Sequence, residues 1–246
     1  MSFGSMSELA DKLKSIRAIL FDKDGTLIDF ERTWFAFSYS MAEKAAGGDE
    51  AKARHLMDIG GYDWEAKRFR GNSVIAAGTV EEMVALWHPY ADMAAQAEIV
   101  AHYNRLSLEA GPRSAVAIDG LYETLEALHA QGFILGICTN DSEAGALKTA
   151  QVLGIDHFFA GFIGYDTAAR PKPFADPLIY FAEKHGLELS QLAMVGDNSH
   201  DMEAAHAAQA GLSIGVLSGN AGADILEPLA DIVLPSVADI PALFVS

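Results

Sequence analysis

The sequence predicts an α/β fold: a doubly wound parallel sheet with a helical segment inserted after its first strand. Three features carry that expectation. A short apolar run, Ile16 to Phe21, stops at the acidic, glycine-containing segment Asp22-Lys23-Asp24-Gly25-Thr26. Residues 31–114 then show apolar residues at helical spacing and no convincing strand. After Asp119-Gly120, short apolar runs alternate with amphipathic segments, which is how repeated strand–helix units read.

The elements follow in chain order. Ile16 to Phe21 has the continuous apolar character of a strand buried on both faces. From Thr33 to Ala46, the residues Trp34, Phe37, Met41 and Ala45 recur near helical spacing, and this stripe reads as packing within the insertion. Thr79 and Glu82 form a capping box ahead of Val80, Met83, Val84 and Trp87, and Pro89 stops that helix. A further helix, from Ala94 to Leu106, carries Ile99, Tyr103 and Leu106 and is expected to break at Gly111-Pro112. Beyond Gly120 the reading gives a helix to Ala130, a strand Phe133–Cys138, a helix to Leu153 closed by Gly154, and a strand Phe159–Gly164. A helix capped by Asp176, with Pro177 in its first turn, runs to Gly186; strand Leu192–Gly196 and a helix up to Gly211 follow. Strand Ser213–Leu217 and an apolar segment Asp231–Leu234 close the pattern. Residues 1–30 and 115–246 are thus expected to form the α/β core, and 31–114 an inserted helical domain.

Composition narrows the function. The chain has 246 residues, 50% hydrophobic and 21% charged, an ordinary globular balance, but 34 Asp+Glu against 17 Lys+Arg give a formal net charge of −17. That excess, with no long basic run to offset it, argues against nucleic acid as a partner, although a small anion can still bind locally. The single Cys138 cannot form an intramolecular disulfide. No cationic start leads into an apolar signal-like stretch, and the uncharged run from Ala204 to Ala223 is interrupted by Gln209, Ser213, Asn220 and glycines. The expectation is a soluble cytoplasmic protein without a membrane partner. The eight histidines show no zinc-ligand spacing.

In an open parallel sheet, ligands bind beyond the carboxyl ends of the strands. The polar residues expected there are Asp22 and Asp24 after the first strand, Thr139-Asn140 after Cys138, Lys172 in the loop beyond Gly164, and Asp197 after Gly196. Taken singly each has a plainer reading: Asp24-Gly25 as a hairpin turn, Thr139 and Asp197 as helix caps, Lys172 as a solvated loop lysine. Together, carboxylates, a hydroxyl and an ammonium suit Mg²⁺ and a phosphoryl group, because a hard cation takes oxygen ligands and phosphoryl oxygens take donors. Asp201, four residues past Asp197, falls in the first turn of the next helix and is a candidate support for the metal.

The ordered set Asp22-Lys23-Asp24-Gly25-Thr26-Leu27, Thr139, Lys172, and Gly196-Asp197 with Asp201 resembles the motifs of the haloacid dehalogenase superfamily, in its phosphatase branch. The position of the helical insertion resembles the cap of phosphoglycolate phosphatase-like members; Phe30 stands where a serine is common in that pattern. The resemblance implies a Rossmann-like core, Asp22 as nucleophile forming an aspartyl-phosphate, and Asp24 as the acid and base serving the leaving group and the water. It also implies Mg²⁺ on the Asp22 carboxylate, the Asp24 main-chain carbonyl and Asp197, with Thr139, Lys172 and the Asn140 backbone N–H on the phosphoryl oxygens. An acid at position 24 argues against dehalogenation, which has no leaving alkoxide to protonate.

The expected function is Mg²⁺-dependent hydrolysis of a small phosphorylated metabolite, a phosphoglycolate-like monoester. Substrate choice would fall to the insertion, where Lys67, Arg68 and Arg70, followed by Gly71-Asn72-Ser73, form the densest basic patch; Arg70 is the candidate for a second polar group on the substrate, against a plainer reading as a solvated helix face. Two other readings share some of these residues: a phosphosugar mutase of the same fold, and a non-catalytic phospho-accepting signalling module, which is shorter and lacks an acid two positions past the nucleophile.

Overall fold

The computed structural model describes residues 6–70, 73–77 and 79–244. Helix α1 (Met6–Ser15) leads into β1 (Ala18–Phe21), and α2 (Phe30–Ala45) and α3 (Glu50–Ile59) follow. A small hairpin of β2 (Tyr62–Asp63) and β3 (Arg68–Phe69) precedes α4 (Val74–Ala77), α5 (Val80–Trp87) and α6 (Met93–Ser114). Then come α7 (Leu121–Ala130), β4 (Ile134–Cys138), α8 (Glu143–Leu153), β5 (Phe159–Ile163), α9 (Asp176–His185) and β6 (Leu192–Gly196). The chain closes with α10 (Ser199–Ala208), β7 (Leu212–Val216), α11 (Ala223–Leu226), β8 (Ile232–Leu234) and a 3₁₀ segment, Val237–Phe244. It divides into two compact units, Phe30–Val116 and the segments on either side of it.

The flanking segments build a six-stranded sheet in the order β5-β4-β1-β6-β7-β8, with every pairing parallel. This is the doubly wound α/β architecture expected from the alternation. Along β1 the side chains alternate between two buried layers. Ile19 and Phe21 pack with Leu121, Leu125 and Leu128 of α7 and Ala146 and Ala150 of α8, whereas Ala18 and Leu20 pack with Leu178 and Phe181 of α9 and Ala204 and Ala205 of α10. A strand covered on both faces needs no polar alternation, which is why Ile16 to Phe21 reads as one apolar run. The chain extends to one side of β1 through β4 and β5, then restarts on the other side with β6. The order therefore reverses between β1 and β6, and the crevice beyond their carboxyl ends is where such a sheet binds ligands.

Phe30–Val116 has its own core, including Met41, Ala53, Met57, Phe69, Val84, Trp87 and Tyr103, all buried. Trp34 and Phe37 pack against it, their rings 5.6 Å apart, so the aromatic stripe is packing material. The Thr79 capping box forms as the sequence indicates.

The structure corrects several boundaries. The insertion does contain strands: Tyr62 pairs with Phe69 and Asp63 with Arg68, too few residues on each side to show a period of two. Helix α6 does not break at Gly111-Pro112 but continues to Ser114. Packing outweighs the lost proline N–H there: a Cβ on Gly111 would lie 2.7 Å from Trp34 Cη2, and the Val116 N–H donates to Thr33 Oγ1 at 3.1 Å just beyond the helix end. The cap of α9 is Ala175; Asp176 is instead the first helical residue and accepts two bonds from Arg170, at 2.9 and 3.2 Å. Helix α10 stops at Ala208 because Gln209 takes the left-handed conformation, two residues before Gly211. Helix α1, absent from the sequence reading, sets Leu9 and Leu13 against the sheet's core. No helix among the described residues is long and apolar enough to cross a membrane.

Candidate active site

Strand register places the first acids. Phe21 pairs with Val195 on one side and Ile137 on the other, so Asp22, just past β1, stands level with Gly196 and Cys138, the last residues of β6 and β4, and the Asp22 N–H donates to the Val195 carbonyl at 2.8 Å. Asp197 and Thr139 each come one residue later, both buried. The chain then turns sharply: Gly25 has φ of +85° and donates its N–H to the Ile28 carbonyl at 2.8 Å. A Cβ at Gly25 would lie 2.5 Å from Asp197 Oδ2. The glycine therefore permits both the turn and the approach of the two loops, and no hairpin turn is made of Asp24-Gly25.

Asp22, Asp197 and Asp201 each offer a carboxylate oxygen, and these atoms lie within 4.8 Å of one another, all buried. Asp201 reaches the cluster because Gly196 has no side chain; a Cβ there would lie 2.1 Å from the Asp201 Cγ. Lys172, also buried, donates to Asp22 Oδ1 at 2.7 Å and to Asp201 Oδ1 at 2.5 Å. Asp197 Oδ2 accepts the Asn220 N–H at 2.8 Å, from the loop after β7. The helix caps are other residues: Ser142 caps α8 and Asn198 caps α10, with Asp201 Oδ2 accepting the Asn198 N–H at 3.1 Å.

The electrostatics follow from this crowding. Burial, reinforced by Asp201 and opposed by Lys172, pushes Asp22 up to about 6. Burial, then Asp22 and Asp201, hold Asp197 well above the usual carboxylate range. Burial works against the charge on Lys172, but Asp201 and Asp22 outweigh it and raise its pKa. Cys138, just behind the cluster, is pushed up to about 12, chiefly by burial, so it is a thiol at neutral pH and no nucleophile.

Asp24 is placed differently from its neighbours. Its side chain pairs with Lys23 at 2.7 Å, and Lys23 in turn pairs with Asp141 at 3.0 Å. Burial raises Asp24, with Lys23 opposing. Asn140 uses its side chain to hold the loop of Lys172, donating to the Lys172 carbonyl at 3.0 Å. The Thr139 hydroxyl oxygen accepts the Asp141 N–H at 3.1 Å, which orients it. Arg70 lies in the other unit, where its guanidinium bonds the Asp58 carboxylate at 2.9 Å and carbonyl at 3.1 Å. Lys67 sits at the β2–β3 turn with φ of +54°; Gly71 and Asn72 of the basic patch fall outside the described residues.

The sequence reading missed Lys23, Asp141 and the loop of Ser218 and Asn220. Ser218 Oγ donates to the Gly25 carbonyl at 2.8 Å, beside the Asn220 bond to Asp197. A lysine between two aspartates at the end of a buried strand was the available signal, since a buried ammonium requires acids around it.

A family model described as haloacid dehalogenase-like hydrolase matches residues 16–209. The chain belongs to that family. Among its relatives, the phosphoglycolate phosphatase of Salmonella typhimurium is 31% identical over 245 residues, covering 95% of this chain and 94% of that one. Pyrophosphatase PpaX of Halalkalibacterium halodurans is 30% identical over 188 residues, 76% of this chain and 77% of its own. A crystal structure of a predicted phosphoglycolate phosphatase from Haemophilus somnus superposes with a TM-score of 0.74 at 25% identity, over 93% of this chain and 98% of that one. This haloacid dehalogenase-like protein is a phosphatase, a phosphoric monoester hydrolase.

Proposed function

We propose that the protein hydrolyses a small organic phosphomonoester, phosphoglycolate-like in size and charge, with Mg²⁺ and through an aspartyl-phosphate on Asp22. The observation that carries this reading is the juxtaposition of Asp22, Asp197 and Asp201 within 4.8 Å, with Asp24 drawn aside onto its own lysine. Packed carboxylates that burial and mutual repulsion push upward in pKa form a donor set that a hard divalent cation relieves, so the residues present fit Mg²⁺. Asp22, Asp197 and the Asp24 main-chain carbonyl would hold it. Both oxygens of Asp201 have protein partners, Lys172 and the Asn198 N–H, which suits support of the site more than ligation. When bound, the ion offsets the repulsion between a carboxylate nucleophile and an anionic phosphate.

The chain's own residues do the rest. An Asp22 carboxylate oxygen forms the bond to phosphorus as the bond to the leaving oxygen breaks, and the Asp24 carboxyl gives its proton to that oxygen. Water then attacks the phosphorus of the aspartyl-phosphate, Asp24 takes its proton, and inorganic phosphate leaves with Asp22 restored. Lys172 supplies positive charge and Thr139 a hydroxyl donor to the phosphoryl oxygens, and Asn140 contributes its backbone N–H while its side chain fixes the Lys172 loop. Substrate choice is assigned to Phe30–Val116, with Arg70 as the candidate for a second polar group on the substrate.

The test is phosphate release from a panel of small phosphoesters with Mg²⁺, with and without EDTA. Release with Mg²⁺ that EDTA abolishes is expected. Asp22→Asn, checked by mass spectrometry to be free of deamidation, is expected to lose turnover by at least about a thousandfold; wild-type-like hydrolysis by that preparation overturns the assignment of the nucleophile.

A further inference from the structure

We infer that Lys23 is a positioning residue for the proton donor: its ammonium holds the Asp24 carboxyl group at Oδ2 and ties it, through Asp141, to the loop that presents Thr139. The inference rests on the proposed role of Asp24 and adds the device that aims it.

Lys23 is only 2% exposed. An ammonium so far from water must be paired with acids to persist, and both partners lie close, Asp24 Oδ2 at 2.7 Å and Asp141 Oδ2 at 3.0 Å. Asp141 is itself fixed. Its Oδ1 accepts the Ser142 N–H at 2.7 Å, its backbone N–H donates to Thr139 Oγ1 at 3.1 Å, and its carbonyl accepts the Tyr165 N–H at 2.9 Å. The far end of the clamp is thus anchored to the same segment as the phosphoryl-binding hydroxyl.

Division of labour between the lysines supports this role. Lys172 serves Asp22 and Asp201, and Lys23 serves Asp24 and Asp141, so the acid that must reach the leaving oxygen is not competing for the ammonium that faces the nucleophile. As the bond from Asp22 to phosphorus forms and the ester bond breaks, the Asp24 proton moves to the departing oxygen, and this transfer needs hydrogen-bond reach and a held rotamer. Lys23 supplies the restraint; it neither gains nor loses a proton.

Leaving groups of different acidity separate this role from simple structural support. Nitrophenolate departs without a proton, whereas an alkoxide requires one. The experiment measures kcat/KM, which reports the steps through the first phosphoryl transfer, over a series from 4-nitrophenyl to simple alkyl phosphates. The proteins are wild type, Asp24→Asn, Lys23→Met, Lys23→Arg and Asp141→Asn, each checked for folding by thermal melting. Asp24→Asn and Lys23→Met are expected to lose at least about tenfold more on alkyl than on nitrophenyl esters. Lys23→Arg should restore most of the loss, and Asp141→Asn should show a smaller loss of the same selectivity. If Asp24→Asn shows the selectivity and both Lys23→Met and Asp141→Asn fall equally across the series or not at all, the clamp is overturned while Asp24 keeps its role. If Asp24→Asn itself shows no selectivity, the proton-donor reading fails and the clamp with it. Should Lys23→Met not fold, Lys23→Arg and Asp141→Asn, the latter altering a side chain 34% exposed, decide the matter.

Discussion

Lys172 lies 2.7 Å from Asp22 and 2.5 Å from Asp201, so one ammonium compensates two buried carboxylates. Removing one member of such a group leaves the others charged and unpaired in a medium that solvates them poorly. Lys172→Met is therefore expected to destabilise the metal-free protein by about 3–5 kcal/mol, read from urea unfolding. At this scale the sequence was informative where backbone position alone sets a side chain's neighbourhood. Asp22, Thr139 and Asp197 follow strand ends, and strands of a parallel sheet end in one place. The pairing of Lys23 with Asp141 was not legible, because it joins two loops distant in sequence, although the aspartates on either side of Lys23 were a local sign that its ammonium would need acids. Asp201 was legible as an acid in a first turn, but its hold on Lys172 depends on Gly196 leaving space for it.

Helix α6 shows how an element escapes a local rule. Proline and glycine in succession signal a break, yet the helix runs through both because the Trp34 ring lies against the bare backbone of Gly111. Gly111→Ala sets two effects against each other. Alanine gains about 1 kcal/mol in intrinsic helix preference, but its Cβ would stand 2.7 Å from the edge of a rigid indole, an overpacking that costs about 1–3 kcal/mol. The expected outcome is a net loss of stability, seen as a lowered midpoint in thermal or denaturant unfolding; a stabilised variant would mean that the indole moves freely. The β2–β3 hairpin was invisible for a related reason, since each strand is too short to carry a pattern and it forms by packing Tyr62 and Phe69 into an aromatic cluster, their rings 5.1 Å apart.

At the scale of the whole molecule, a chain with a net charge of −17 keeps several acids stable by pairing them across distant segments. Asp231, beside β8, accepts from Lys12 of α1 at 2.7 Å and from the Ser213 N–H and hydroxyl of β7 at 2.9 and 3.1 Å. Burial works against its charge, but the Lys12 ammonium and the Ser213 donors outweigh it and hold the carboxyl below its usual value. The unfolded chain then binds the proton more readily, so this pairing stabilises the fold above the ordinary carboxylate pKa and the benefit is lost as pH falls through the lower folded value. Asp231→Asn is expected to be less stable than wild type at pH 7, with the gap closing below about pH 4. An unchanged gap in acid would show that the loss is steric.

By itself the sequence determined the parallel strand–helix alternation of the core and which residues stand at the ends of its strands, because burial on two faces, capping and glycine stops are written in neighbouring residues. Only the tertiary structure decided which charges meet. Lys172 with Asp22 and Asp201, and Lys23 with Asp24 and Asp141, are groups assembled by the packing of loops at the sheet's carboxyl edge and, for Asp201, by the side-chain-free approach at Gly196. The reason is physical: secondary structure is selected by local energetics, whereas a buried charge survives only if the fold brings its opposite within a few ångströms.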